Sequence, residues 1–212
     1  ISHQKNQYTK ENIMICPGAR FAVYLAITTL LNPGDEIIVI EPSWPAYKDC
    51  ALNAGIKVRT IKTTLETRWE PSIDQIKNAI NENTKMIVLN YPNNPTGKVL
   101  PEKLLDNIIQ TAKEHDLYVL SDEIYFRLDR LNEIRVPSQY CKPMISNHEK
   151  SIIINSFSKS HAMTGFRIGW VIAEPSIIEK MSKLQALSLT NVSEPIQYVA
   201  LRALEAKTTK NE

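Results

Sequence analysis

Apolar and polar positions along this chain follow two rhythms. Short apolar-rich runs occupy residues 13–16, 36–40, 85–89, 117–120, 151–155 and 166–173, and the more polar stretch 57–61 is a further one of the same length. Runs of this length read as strands, and the run at 85–89 has the pattern of a buried parallel strand covered on both faces. Between the runs, apolar residues recur at helical spacing, which predicts helices over 19–31, 45–53, 72–81, 101–115, 176–187 and 195–204. Ser72 is placed to cap its helix, with Asp74 and Gln75 in the first turn, and Pro101 opens the next. Gly55 stands just past the end of the 45–53 helix, and Asn32-Pro33-Gly34-Asp35 is a turn. Residues 129–150 read as irregular.

Strands alternating with helices predict an α/β fold: a mostly parallel sheet with helices on both faces. One pair breaks the pattern. Only the ten residues 156–165 separate the last two strands, fewer than a parallel crossover needs. The strand at 166–173 is therefore expected to run antiparallel.

Composition narrows the picture. Glycine is scarce, 6 of 212 residues against 12 prolines, which excludes fibrous, collagen-like and linker chains. A hydrophobic share of 43 % and a charged share of 23 % are ordinary for a globular protein. The net charge is +2, and no run of basic residues forms a nucleic-acid surface. No apolar stretch is long enough to cross a bilayer, and the start carries no signal-peptide pattern. Cys16, Cys50 and Cys141 read as reduced thiols of a cytoplasmic protein. They and the scattered His3, His115, His148 and His161 lack metal-ligand spacing, so no metal is expected.

In open α/β sheets ligands sit beyond the carboxyl ends of the strands, so the chemistry is sought there. After Cys16, the turn Pro17-Gly18-Ala19-Arg20 leads into a helix. Free N–H groups and the helix dipole make this an anion site, and a plain strand-to-helix turn is the competing reading. No GxGxxG or Walker A motif is present. After Leu89, Asn93 and Asn94 lie between prolines, a rigid way to offer an amide. After Leu120 comes Asp122, a carboxylate that needs a cation or ligand if buried; a solvated strand end is the alternative. After Asn155 come Ser156, Ser158 and Lys159, then Arg167. Such a lysine could act as an amine nucleophile, and such an arginine could fork onto a phosphate. Pyridoxal phosphate uses all these kinds of group: a Schiff-base lysine, an acid at the pyridine nitrogen, a phosphate cradle and a donor to the ring oxygen.

The motifs Asn32-Pro33-Gly34-Asp35-Glu36, Asn93-Asn94-Pro95-Thr96-Gly97, Asp122-Glu123-Ile124-Tyr125 and Ser156-Phe157-Ser158-Lys159, followed by Met163-Thr164-Gly165-Phe166-Arg167-Ile168-Gly169, occur in that order. From about Ile13 to Leu204 the sequence resembles the fold-type I pyridoxal-phosphate aminotransferases of classes I and II, the aspartate aminotransferase group. The resemblance implies roles. Lys159 would bind the cofactor as a Schiff base and shuttle the substrate proton, with Asp122 on the pyridinium nitrogen. Asn94 and Tyr125 would donate to the ring oxygen, and Trp44 would stack on the ring. Gly18, Ala19, Arg20, Ser156, Ser158 and Arg167 would cup the phosphate. Trp44 points weakly to aspartate-type substrates. Expected partners are an L-amino acid, a 2-oxo acid and a second copy of the chain in a homodimer with shared sites, but neither nucleic acid nor membrane.

Chains of that family are roughly twice as long. The resemblance makes residues 1–205 the cofactor-binding large domain and 206–212 the start of a truncated C-terminal part. Missing are the N-terminal arm and most of the small domain, including the arginine that clamps the substrate α-carboxylate; Arg202 comes too early to be it. Two other readings share the scaffold: a C–S lyase, for which a histidine is expected where Asn93 stands, and a non-catalytic effector-binding module.

Overall fold

A computed structural model describes residues 8–128 and 148–205; most of the irregular stretch predicted for 129–150, and all of 206–212, lie outside it. The strands are β1 (Ile13–Cys16), β2 (Glu36–Glu41), β3 (Lys57–Lys62), β4 (Thr84–Asn90), β5 (Tyr118–Asp122), β6 (Ser151–Ser156) and β7 (Gly169–Ala173). They form one seven-stranded sheet in the order β1-β7-β6-β5-β4-β2-β3. Five strands, β3 to β6 with β2, pair in parallel, and β7 runs antiparallel to both of its neighbours, as its short connection requires.

The helices are α1 (Ala19–Leu30), α2 (Ala46–Asn53), α3 (Ile73–Ala79), α4 (Glu102–Glu114), the single-turn α5 (Phe157–Ser160), α6 (Pro175–Leu189) and α7 (Glu194–Glu205). The alternation of side chains along each strand divides the core in two. Met86 and Val88 of β4, Leu120 of β5, and Ile152 and Ile154 of β6 pack with α1, α2 and α6. Ile87 and Leu89, Val119 and Ile153 pack on the other face with α3, α4 and α7. Both faces of the central strands are thus dry, which is why their sequence shows no polar alternation.

Element boundaries follow local chemistry. Ser72 accepts the Gln75 N–H at 3.1 Å while Gln75 Oε1 accepts the Ser72 N–H at 2.9 Å, a reciprocal cap for α3. Pro101 occupies the cap position before α4 rather than its first turn. The strand expected from Phe166 begins only at Gly169, because Thr164–Phe166 form a 3-10 turn and Arg167 is left-handed, at φ 52°. An isolated apolar run does not reveal that backbone detour.

From β2 the chain moves outward to β3, then returns to place β4 on the other side of β2. Connections leaving the carboxyl ends of β2 and β4 therefore diverge, α2 to one face and α4 to the other. That divergence opens the crevice in which ligands bind in folds of this kind.

Candidate active site

Three strand ends meet at one edge of the crevice. Gly169 opens β7 in register with both Cys16 of β1 and Ser156 of β6. Because β7 is antiparallel, its first residue lies beside the last residues of its neighbours. A Cβ on Gly169 would stand 2.6 Å from the Asn155 carbonyl oxygen and 3.3 Å from the Ala19 nitrogen, so only glycine allows this approach. Gly18, at φ 89°, caps α1, and a Cβ there would stand 2.5 Å from Arg167 Nη2. The guanidinium fills space that a side chain at 18 would need. Its Nη1 donates to the Thr164 carbonyl at 2.8 Å.

Ser156 Oγ accepts the Ser158 N–H at 2.9 Å, lies 2.8 Å from Ser158 Oγ and donates to the Ile168 carbonyl at 3.1 Å. The N-terminus of α1, Ser158 and Arg167 thus gather at this edge as donors of the kind an anion takes, with Ser156 buried beneath them and donating to the Ile168 carbonyl. Ala162 and Arg167 both hold left-handed backbone conformations in the segment joining Lys159 to β7. Each costs about 1–3 kcal/mol, and such strain concentrates at ligand sites.

Deeper in the crevice stands Asp122, at the end of β5 and wholly buried. Among the described residues it makes no salt bridge. Burial pushes its carboxyl up to about 6, against hydrogen bonds from the Tyr47 hydroxyl and the Ile124 N–H. Tyr125 is half-buried. Burial and the charge of Asp122 raise its hydroxyl, and a hydrogen bond from the Asn94 side chain pulls it back. Lys159 Nζ lies over the Tyr125 ring, 5.9 Å from its centroid. Lysine, phenol, amide and carboxylate therefore stand in one neighbourhood.

Trp44 joins this group to the cradle. Its ring meets Tyr47 edge-on, with centroids 5.4 Å apart, and carries the Arg20 guanidinium 4.9 Å from its centroid. The residues Gly18, Ala19, Arg20, Trp44, Asn94, Asp122, Tyr125, Ser156, Ser158, Lys159 and Arg167 are thus distributed over the ends of β1, β2, β4, β5 and β6 and the start of β7. Asn93 does not share Asn94's role: its amide donates to the Pro42 carbonyl at 3.2 Å and accepts from Thr96, locking the loop.

Sequence reasoning overlooked Tyr47 and Asn90. The Tyr47 hydroxyl donates to Asp122 Oδ2 at 2.7 Å. Asn90 donates to the Asp122 carbonyl at 3.1 Å and accepts the Asn94 N–H at 3.0 Å. Tyr47 follows Trp44 by three residues in the first turn of α2. Alone, that spacing reads as a core tyrosine, and only the position of β5 gives its hydroxyl a partner. Among the described residues no cluster of metal-ligating side chains is present, and no helix is long and apolar enough to cross a membrane.

The fold is an α/β sheet covered on both faces, with a buried carboxylate, an exposed lysine and an arginine at its strand ends. Residues 2–212 match the family model of aminotransferase class I and II, and the chain belongs to that family. It is 33 % identical over 204 residues to an aspartate aminotransferase of Thermotoga maritima, covering 95 % of this chain and 52 % of that protein. To an asparagine–oxo-acid transaminase of Streptococcus mutans it is 37 % identical over 200 residues, covering 92 % and 49 %. The solved aspartate aminotransferase of Thermotoga maritima superposes with a TM-score of 0.90 at 31 % identity, covering 97 % of this chain and 54 % of that one. The chain spans about half the length of the curated relatives it matches.

Proposed function

We propose that this chain is the pyridoxal-phosphate-binding part of an aminotransferase that moves an amino group from an L-amino acid, aspartate-type by preference, to a 2-oxo acid. The observation that carries the reading is Asp122: a buried carboxylate with no cation of its own, in the same crevice as a lysine and an anion cradle. A carboxylate so placed is stabilised by a positive ligand group, and a pyridinium nitrogen is one. The glycine at 18 lets the Arg167 guanidinium lie against the start of α1, which gathers a positive charge and free N–H groups of the kind a phosphate takes.

When bound, the cofactor supplies an electron sink for negative charge at the substrate α-carbon. The chain's own residues do the rest. Asp122 holds the ring nitrogen protonated. Asn94 and Tyr125, already hydrogen-bonded to each other, orient the ring oxygen. Trp44 covers a ring face. The α1 N-terminus at Gly18, Ala19 and Arg20, with Ser156, Ser158 and Arg167, fixes the phosphate. Lys159 Nζ binds the cofactor and moves the proton at the substrate α-carbon. The same reading includes a homodimer. Ile13 and Ile15 on edge strand β1 are 39 % and 37 % exposed, apolar surface available to further protein. The free thiols Cys16 and Cys50 accord with a cytoplasmic location.

Borohydride reduction of the full-length protein incubated with pyridoxal phosphate, followed by peptide mapping, is expected to place a pyridoxyl group on Lys159 and on no peptide of Lys159→Ala. Modification of another lysine instead, or of none, rejects the site. A panel of amino donors with 2-oxoglutarate is expected to yield glutamate; release of ammonia and pyruvate would identify a lyase.

A further inference from the structure

We propose that Tyr47 is a positioning residue for the cofactor ring: its hydroxyl, hydrogen-bonded to Asp122 Oδ2, keeps that carboxylate ionised and pointed into the crevice. The inference rests on the pyridoxal-phosphate reading and extends it to a residue outside the ligand's direct reach.

The geometry is specific. Tyr47 is 1 % and Asp122 3 % exposed, so water does not supply the carboxylate with donors. Its Oδ1 has only a long bond, 3.3 Å, from the Ile124 N–H, whereas Oδ2 has the 2.7 Å bond from Tyr47. Charge-assisted O–H···O bonds of this length are among the stronger ones. The donor is itself fixed. Tyr47 lies in the first turn of α2, and its ring is held edge-on by Trp44 at an interplanar angle of 88°. Burial and the neighbouring Asp122 charge hold the Tyr47 hydroxyl well above its ordinary range, so it remains a donor through neutral pH.

The other titratable groups nearby do not replace it. Tyr125, on the loop after β5, accepts from the Asn94 side chain and is not among the donors to the Asp122 carboxylate. Lys159, on α5, stands over the Tyr125 ring. Glu123 accepts from Ser121, which lies on the sheet face opposite Asp122. Removing the Tyr47 hydroxyl therefore removes the principal donor to a buried charge. The carboxyl then holds its proton to higher pH, and a protonated Asp122 no longer favours a pyridinium. Cofactor affinity falls first on the acid side.

The test is pyridoxal-phosphate affinity from pH 5 to 9, by absorbance titration, for the full-length wild type and Tyr47→Phe. It is paired with infrared titration of the Asp122 carboxylic C=O stretch in both apoproteins, assigned with Asp122→Asn. For Tyr47→Phe the expected result is an acid limb of binding moved to higher pH, a carbonyl band persisting to higher pH, and affinity at pH 7 lower by on the order of tenfold. A tyrosine that only fills the core would leave both profiles unmoved, and superimposable curves overturn the proposal. Site-specific 3-fluorotyrosine at 47, nearly isosteric and a stronger donor, is expected to shift both profiles to lower pH, so the idea stays testable even if Tyr47→Phe folds poorly. A wild type that binds no pyridoxal phosphate overturns the aminotransferase reading together with this inference; wild-type binding with unmoved variant profiles overturns this inference alone.

Discussion

Asp122 shows how much of the site's chemistry resides in single residues. In the unfolded chain its carboxyl titrates near 4; in the folded chain burial moves it to about 6. A carboxyl whose folded value is raised contributes stability that is greatest at low pH and lost as pH rises through the interval between those values. The apoprotein therefore carries a penalty from Asp122 at neutral pH of up to roughly 3 kcal/mol. Replacing it with asparagine is expected to stabilise the apoprotein at pH 8 and to leave it unchanged near pH 4, while abolishing tight cofactor binding. Urea unfolding at the two pH values measures the difference, and equal stability of the two proteins at pH 8 would show that the carboxylate is compensated in some other way. Glu36 behaves in the opposite sense. Burial raises it, but hydrogen bonds from Arg59, Thr84 and Asn81 and the Arg59 charge outweigh burial and leave it below its ordinary value. Its contribution to stability is present above about pH 4 and lost on acidification below that. The two carboxylates pull in opposite directions. Glu36 lies at the amino end of its strand, clipping β2 to β3 and β4, whereas Asp122 lies buried at the carboxyl end of β5 with no cation beside it among the described residues.

Among the elements, β7 decides the shape of the cradle. Its antiparallel course brings Arg167 and Gly169 to the same sheet edge as Gly18 and Ser156. Had β7 run parallel, its carboxyl end would occupy that edge and Arg167 the opposite one. Gly169→Ala is expected to force β6, β7 and the start of α1 apart, since its Cβ would meet backbone atoms rather than a movable side chain. Such overpacking costs about 1–3 kcal/mol, to be read as a lowered midpoint in chemical denaturation together with weaker inorganic phosphate and cofactor binding. Unchanged phosphate affinity would separate the strand from the cradle. The direction of β7 was readable in advance from the shortness of its connection. Its starting residue was not, because the left-handed Arg167 and the 3-10 turn before it leave no mark in an apolar pattern.

At the scale of the whole molecule, the topology gathers distant segments. Gly18 and Arg167 are far apart in sequence yet stand in contact because β1 and β7 are neighbours at the sheet edge. Ligand binding to such a site is expected to stabilise the entire fold rather than one loop. At a hundredfold excess over its dissociation constant, pyridoxal phosphate adds about 2.7 kcal/mol, which for a domain of this size raises Tm by roughly 5–10 °C. Because a bound pyridinium relieves the Asp122 penalty, the gain in Tm is expected to be larger at pH 8 than at pH 5. Differential scanning calorimetry of the full-length protein with and without the cofactor tests this, and a gain independent of pH would detach Asp122 from the ligand.

The sequence by itself determined the alternation of strands and helices, the dry central strands, the reversed last strand and the strand-end positions of Asp122 and Lys159. These properties depend on local periodicity, connection length and the residue types that follow each strand. Only the tertiary structure decided which strand ends lie together and which of two neighbouring asparagines is spent on locking its own loop. It also decided that a tyrosine resembling a core residue holds the buried carboxylate. A hydrogen-bond partner 75 positions away is set by strand order and by the packing of α2 on the sheet, and no local pattern along the chain encodes it.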